Sequence, residues 1–405
     1  MTSATTKPDE TPWGLVILLG ALTGFAPMSI DMYLASMPTI GVQLPASPAQ
    51  VQTTLSAFLA GMALGQFVYG PASDRFGRRM PILIGVGIYV LASIACALAM
   101  TPDQLIAARF VQALGGCAGG VVSRAVVRDL FDHTETARVL SLLTLIMGLA
   151  PVLAPMLGGV VLALGGWRAN FWVLAVFGAV VGLAAFWRLR ESRSAETAGL
   201  AASENPLKAY LALLGNRRLV GYALAGALNG ATLFTYISSS SGLIMGVYGV
   251  AAGAYTLIFG LNAVGIIGAS QVNRRLLRYL SPDQVLSRAS WISTGFGVAL
   301  AIAAFTGWGE RWSVLPLLFV LLSTYGFMQA NTMAGALNVD PRRAGSVSAL
   351  MGGASFATGA LASGVAGLFY DGTARPMALT MLVALLWSAL ALRFLALPKP
   401  GQSVG

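Results

Sequence analysis

Apolar runs of about 20 residues recur along this chain, each long enough to cross a ~30 Å hydrocarbon core as a helix. Inside a bilayer every backbone polar group must be satisfied within its own segment, so such runs are read as helices and not as loops. Twelve spans are predicted, near residues 13–40, 51–72, 80–101, 104–127, 137–164, 168–188, 219–245, 251–272, 284–307, 312–335, 344–370 and 375–396. Only 10% of residues are charged, where a soluble domain carries roughly 25%. Glycine is abundant, at 48 residues, as expected where small side chains let membrane helices approach closely. The fold class that follows is an all-α polytopic membrane protein.

The net charge of +10 raises the question of nucleic acid, and the placement of the charge answers it. With the N-terminus inside, Lys7, Arg75, Arg78, Arg79, Arg128, Arg138, the cluster from Arg188 to Arg218, Arg274, Arg275, Arg278, Arg288, Arg342, Arg343, Arg393 and Lys399 all fall on the cytoplasmic side. The outer side keeps Arg168, Arg311 and Arg375, while Arg109 and Arg124 lie in the fourth span. Such a bias is the positive-inside signal and puts both termini in the cytoplasm. No nucleic-acid partner is expected.

The polar segment from Met1 to Pro12 is short, and the span after it is too long for the apolar region of a cleavable signal peptide. Cys96 and Cys117 fall inside spans, so no exported disulfide is implied. His133, the single histidine, is read as a solvated loop residue without other metal ligands around it.

The longest internal polar segment, from Arg188 to Arg218, divides the chain into two sets of six spans. The expected organisation is a six-helix bundle over 1–187, a cytoplasmic linker over 188–218 and a second six-helix bundle over 219–405. Transporters that alternate access between two rocking bundles carry this kind of repeat. A weak local echo supports it: Gly70-Pro-Ala-Ser-Asp74-Arg75 follows span two, and Gly268-Ala-Ser-Gln-Val-Asn273-Arg274 follows span eight, six spans later.

Of the 15 acidic residues, Asp31 alone lies well inside a span. A carboxylate at that depth costs roughly 2.5–3.5 kcal/mol on insertion scales, which marks it as a functional residue and here as a candidate proton carrier. It lies about nine residues from the outer end of span one, or roughly 13 Å, and Arg109 about six residues from the outer end of span four, or roughly 9 Å. The two are therefore expected at one level, as a pair in which Arg109 favours the charged form of Asp31 and removal from water the neutral one. A static ion pair joining spans one and four is the competing reading.

After span two comes Gly70-Pro-Ala-Ser-Asp74-Arg75-Phe-Gly77-Arg78-Arg79. Gly70 is expected to allow tight packing and Gly77 the turn. Asp74 can face the positive end of a neighbouring helix, span eleven being the expected one. The arginines can pair with Asp129 at the end of span four. Opening the cytoplasmic side would break these contacts, so the loop reads as a latch. Arg124 either snorkels to the interface or joins that latch through Asp74 or Asp129.

The loop resembles the G-x-x-x-D-R-x-G-R-R signature of the major facilitator superfamily at every defined position. Arg109-Phe-Val-Gln112-Ala-Leu-Gly115 resembles the R-x-x-Q-G element of the same superfamily. Gly148-Leu-Ala-Pro151-Val-Leu-Ala-Pro155-Met-Leu-Gly158-Gly159 resembles its antiporter signature, with Ala150 where that pattern has Gly. Prolines and glycines there bend a helix and thin its surface, which suits bundles that pivot. With Ser29-Ile-Asp31-Met-Tyr33-Leu, Arg124-Ala-Val-Val-Arg128-Asp129 and Gly166-Trp167-Arg168-Ala-Asn-Phe171, the chain is similar to the Bcr/CflA branch of drug–proton antiporters. The resemblance implies a major facilitator fold and export of small amphipathic drugs, chloramphenicol- or bicyclomycin-like, in exchange for protons across a bacterial cytoplasmic membrane.

For the drug cavity, Asn229, Thr232 and Tyr236 in span seven lie on one helical face. Asn262, Gln329 and Asn331 add polar groups, Gln112 lies one turn from Arg109, and Met28 and Tyr33 offer apolar contact near Asp31. No phosphate-cradling loop, metal set or nucleophile triad is visible, so neither an enzyme nor a cofactor is expected, protons being the coupling ion. The expected partners are a small-molecule drug, protons and the lipid bilayer, and the expected state is a monomer. The alternatives are a proton symporter importing a nutrient or metabolite on the same fold, and a transport-dead membrane receptor.

Overall fold

The structure is a computed structural model describing residues 13–194, 198–199, 206–340 and 343–397. Lys7, Arg342, Lys399 and parts of the 188–218 linker lie outside the described residues, as does the side chain of His133.

Local chemistry explains where the helices start. Spans two (Pro48–Phe76), four (Pro102–Leu130) and nine (Pro282–Thr306) all open on Ser or Thr, then Pro, then Gln at the third helical position. The Ser47, Thr101 and Ser281 hydroxyls accept from the backbone N–H of Gln50, Gln104 and Gln284. Proline at the first position has no N–H to leave unpaired. In spans two and nine the glutamine side chain also accepts from the cap's own N–H, which closes a capping box.

Span one is broken. Trp13–Thr23 and Phe25–Leu34 meet at Gly24 with a 46° bend, and the short helix Met37–Gln43 continues outward. Pro27 is the cause: its ring has no N–H and clashes with the carbonyl four residues earlier, which belongs to Thr23. Span three is Arg79–Leu98. Spans five and six form one segment, His133–Arg188, interrupted at Gly166, whose φ of 72° belongs to the left-handed half of backbone space that glycine alone enters freely.

The linker carries a short helix, Pro206–Leu214. Span seven is Arg217–Ser241, prolonged by a π-helical turn over Gly242–Val247. Span eight is Ala252–Leu276, and span ten is split at Thr324 into Arg311–Ser323 and Tyr325–Val339. Span eleven is Ala344–Leu368, and span twelve Arg375–Ala391 with a π-helical end, Leu392–Ala396. Among the described residues nine helical segments are long and apolar enough to cross a membrane, and the bent first pair makes a tenth. Dividing His133–Arg188 at Gly166 adds one more. Span seven adds the last, since its 25 residues reach about 37 Å at 1.5 Å each. Its serines and Asn229 lower its hydropathy, and Ser238, Ser240, Ser241 and Asn229 are buried within the protein.

The fold is all-helical, in two halves of six spans. Span two packs along span eleven, and span five along span eight. A shift of six spans turns the first pairing into the second, as an internal repeat requires. Exposed apolar side chains such as Leu91, Leu164 and Leu257 cover the outside, and Trp187, Tyr279, Trp308 and Trp312 stand exposed near span ends, where a membrane interface favours aromatic rings.

Candidate functional site

Two connected spaces lie between the halves. The first is a central cavity of about 420 Å³, lined from spans one, two, four and five of the first half and seven, eight, ten and eleven of the second. Its walls are mainly apolar, among them Met62, Met147, Phe234, Phe259 and Phe356. The second is a cleft of about 710 Å³ at the arginine-rich end, bordered by Asp74, Arg75, Arg124, Arg128 and Arg343. Gln66, Arg124, Met333 and Ser348 border both, so the cavity opens into the cleft.

Asp31 reaches the central cavity. Among the described residues it is the one acidic group in that wall, and its carboxylate makes no hydrogen bond or ion pair with another of them. Arg124, the one basic group, stands at the other end; its Nε donates to the Gly120 carbonyl at 3.0 Å. It pairs with neither Asp74 nor Asp129, so its side chain belongs to the cavity mouth and not to the Arg78 cluster.

The expected pair of Asp31 and Arg109 does not form. Arg109 is fully buried inside the first half, with its guanidinium 4.2 Å from the Phe58 ring centre, 4.6 Å from Tyr33 and 5.7 Å from Phe171. Its Nη1 donates to Gln112 Oε1 at 2.7 Å, and Gln112 Nε2 donates to Ser93 Oγ at 2.8 Å. The depth estimate holds, since Arg109 meets Tyr33 only two residues beyond Asp31. The direction does not: residues two apart on a helix point to opposite sides, so the helix that turns Tyr33 toward Arg109 turns Asp31 away, into the cavity.

The other expected cavity residues divide between those that reach it and those that do not. Tyr236, Asn262 and Gln329 line the cavity as expected, and Asn262 Nδ2 donates to the Tyr236 hydroxyl at 2.6 Å. Met28, Tyr33, Gln112, Asn229, Thr232 and Asn331 do not. Tyr33 and Gln112 hold Arg109, and Tyr33 shares a 2.5 Å hydroxyl hydrogen bond with Thr54. Met28 packs against the apolar core. Thr232 donates to the carbonyl of Leu228 in its own helix, and Asn331 donates to Asn273 Oδ1 at 2.9 Å. Asn229 is buried with its Nδ2 unpartnered. Gln66, Ser348 and Ser355 are cavity groups that the sequence reading missed; the signal was a lone amide in mid-span two.

In the loop expected to act as a latch, Gly77 has φ +93°, and this turn brings Arg78 beneath span four. The described partners of the Arg78 guanidinium all lie in the first half and stay bonded while the cleft is open, so these contacts brace one bundle and do not latch the two together. Arg78 Nε donates to Asp129 Oδ2 at 2.7 Å, and its Nη1 donates to Asp74 Oδ1 at 2.5 Å and to Ser73 Oγ at 3.0 Å. Burial works against its charge, but the hydrogen bonds and charges of Asp129 and Asp74 more than offset this and raise its pKa. Arg79 turns to span six, donating to the Phe186 carbonyl at 2.8 Å and lying over the Phe186 ring, and Arg75 lies over Phe76.

Asp74 makes its ion pair with Arg78 rather than capping span eleven, whose first turn lies across the open cleft. Gly70 borders that cleft and packs against nothing, so tight packing is not its role. Sequence reasoning missed Glu191, whose carboxylate accepts from the backbone N–H of Arg78 at 2.8 Å, Arg79 at 3.2 Å, Ser192 at 3.1 Å and Arg193 at 2.9 Å. Partial burial raises its pKa, but these four N–H groups outweigh that and hold it below the usual glutamate range.

In span five, Gly148 and Pro151 line the cavity and Pro155 is buried. Gly158 lies against the backbone of Met32, where a Cβ would collide, and Asn170 bridges the two spans by donating to the Gly158 carbonyl and to Ser36 Oγ. Gly159 has open space beside it, so close packing in this element rests on Gly158 alone of that pair.

A cavity enclosed by eight of twelve spans, open at one end and closed at the other, defines a multi-pass membrane transporter. The Major Facilitator Superfamily profile matches residues 19–363, and the chain belongs to that family. It is 34% identical to an uncharacterized MFS-type transporter, YdgK, of Bacillus subtilis strain 168, over 96% of this chain and 97% of the relative. It is 32% identical to a bicyclomycin resistance protein homolog of Haemophilus influenzae, over 94% and 95%. Among solved structures, a D-xylose–proton symporter superposes with a TM-score of 0.71 at 14% identity, covering 96% of this chain and 99% of that one, a likeness of fold.

Proposed function

We propose that this chain exports small amphipathic drugs, chloramphenicol- or bicyclomycin-like, in exchange for protons across the cytoplasmic membrane of a bacterium. The observation that carries the reading is Asp31: a carboxylate in an apolar cavity between two halves, without a partner among the described residues. Such a group is free to exchange a proton with whatever enters. The similarity to a bicyclomycin resistance protein homolog supports the substrate class. The apolar walls with a few convergent polar groups, Tyr236, Asn262 and Gln329, suit an adaptable small-molecule site.

In this reading the bundles over 1–187 and 219–405 rock about the cavity as a monomer, with protons as the coupling ion and no organic or metal cofactor. The Arg78, Asp74, Asp129 and Glu191 cluster steadies the first bundle at its cytoplasmic end. Arg109, stacked on Tyr33, fixes the rotation of span one and so keeps Asp31 facing the cavity.

The test is accumulation of chloramphenicol and bicyclomycin in cells expressing the wild-type chain or Asp31→Asn, with and without a protonophore. Lower accumulation that needs both the proton gradient and Asp31 is expected. Unchanged accumulation of every compound at good expression would overturn drug export and point to import of a metabolite with protons.

A further inference from the structure

At the end opposite the cleft, the halves meet through side-chain hydrogen bonds. Gln52 of span two reaches into the second half, where its Nε2 donates to Ser238 Oγ at 3.1 Å and Ser239 Oγ at 2.6 Å. Close by, Ser241 Oγ donates to Met37 Sδ at 3.4 Å. Among the described residues every side-chain hydrogen bond found between the two halves belongs to this group. Where they face each other across the cleft, none joins them among the described residues. Gln52 is buried, and Gly367 of span eleven leaves the room it occupies: a Cβ there would stand 2.8 Å from Gln52 Oε1.

Amides in membrane helices commonly hold neighbouring spans of one bundle together. This one crosses between bundles, at the place where the cavity would open outward. Below it the halves meet through apolar and glycine contacts, such as Gly353 against the Phe67 ring and Val152 beside Gly260.

We propose that the Gln52 amide is the clasp of the outer mouth, holding it shut while the inner cleft is open, and that release from Ser238 and Ser239 is a required step in opening outward. The proposal rests on alternating access, but not on the identity of the drug or on proton coupling.

The experiment places a thiol at Ile30, which lines the cavity beside Asp31, in a chain carrying Cys96→Ala and Cys117→Ala. A membrane-impermeant maleimide is added to the outer face of intact cells or to the exposed inner face of inverted vesicles. With Gln52→Ala, labelling from outside is expected to rise and labelling from inside to fall, by roughly 5- to 30-fold for the loss of one or two hydrogen bonds. Gln52→Leu, which keeps the bulk and loses the amide, and Gly367→Ala, which displaces the amide, are expected to act in the same direction. The Ser238→Ala and Ser239→Ala pair should add little to Gln52→Ala, because they remove the same interaction.

Wild-type labelling at both faces in all three clasp variants would overturn the proposal. An unfolded variant would label faster from both sides, which also fails the expected reciprocal change. Since the readout involves neither drug nor proton, a shift in labelling in the clasp variants beside a wild-type chain that exports no drug would sink the drug reading and leave the clasp standing.

Discussion

The guanidinium of Arg109 lies 4.6 Å from the centre of the Tyr33 ring, and this stack, without an ion pair, joins spans one and four at the level of Asp31. A buried cation that lacks an anionic partner depends on its remaining contacts. Gln112 supplies its hydrogen bond, and two more of its nitrogens, Nε and Nη2, are unpartnered.

Gln112→Leu is therefore expected to lower thermal stability in detergent, by roughly 1–3 kcal/mol for a buried donor left unsatisfied. Arg109→Lys should also destabilise, since a compact, strongly hydrated ammonium packs less well among three rings than the weakly hydrated guanidinium. Melting curves of both variants beside wild type check this. Unchanged midpoints would show that neither contact matters.

Adjacent glycines in span four should behave in opposite ways. A Cβ at Gly119 would run into the Leu22 backbone, whereas Gly120 has open space and faces the cavity. Gly119→Ala is expected to cost about 1–3 kcal/mol through overpacking. Gly120→Val should melt like wild type but restrict the larger substrates, seen as a lower export rate for bulky compounds than for small ones.

Twelve spans, their ends to within a few residues, and the pairing of Arg78 with Asp129 were legible in the sequence, because hydropathy, caps and a closely spaced loop motif are local signals. The rotation of each helix was not. Asp31 and Arg109 fell at the correct depth and on the wrong faces. Spans that are apolar nearly all round carry little record of which side meets the partner bundle. Glu191 was hidden for another reason: its acceptor role is to backbone N–H groups of a distant loop, which no side-chain pattern advertises.

Removing a carboxylate partner of Arg78 should loosen the cytoplasmic end of the first bundle. Asp129→Asn is expected to cost roughly 1.5–3 kcal/mol, the range for hydrogen bonds to a charged group, because Arg78 is almost fully buried and its Nε bond to Asp129 is 2.7 Å. Thermal unfolding of the variant measures it, and an unchanged midpoint would mean that Asp74 alone holds Arg78.

Glu191 makes the same region sensitive to acid. Its carboxyl is held below the ordinary glutamate range in the folded chain, so its contribution is complete above that range and is lost as pH falls through the lowered value. Wild type should melt above Glu191→Gln at neutral pH, and the gap should close on acidification. A gap that stays constant down to pH 4 would remove this role.

The central claim is that Asp31 carries the proton, and purified chain in proteoliposomes tests it most directly. A pH-sensitive dye inside the vesicles reports proton movement when chloramphenicol or bicyclomycin is added under an imposed pH gradient. Wild type is expected to move protons only when drug is present, and Asp31→Asn to bind drug while moving none. Drug-dependent proton flux at the wild-type rate in Asp31→Asn would contradict the account and place the carrier elsewhere.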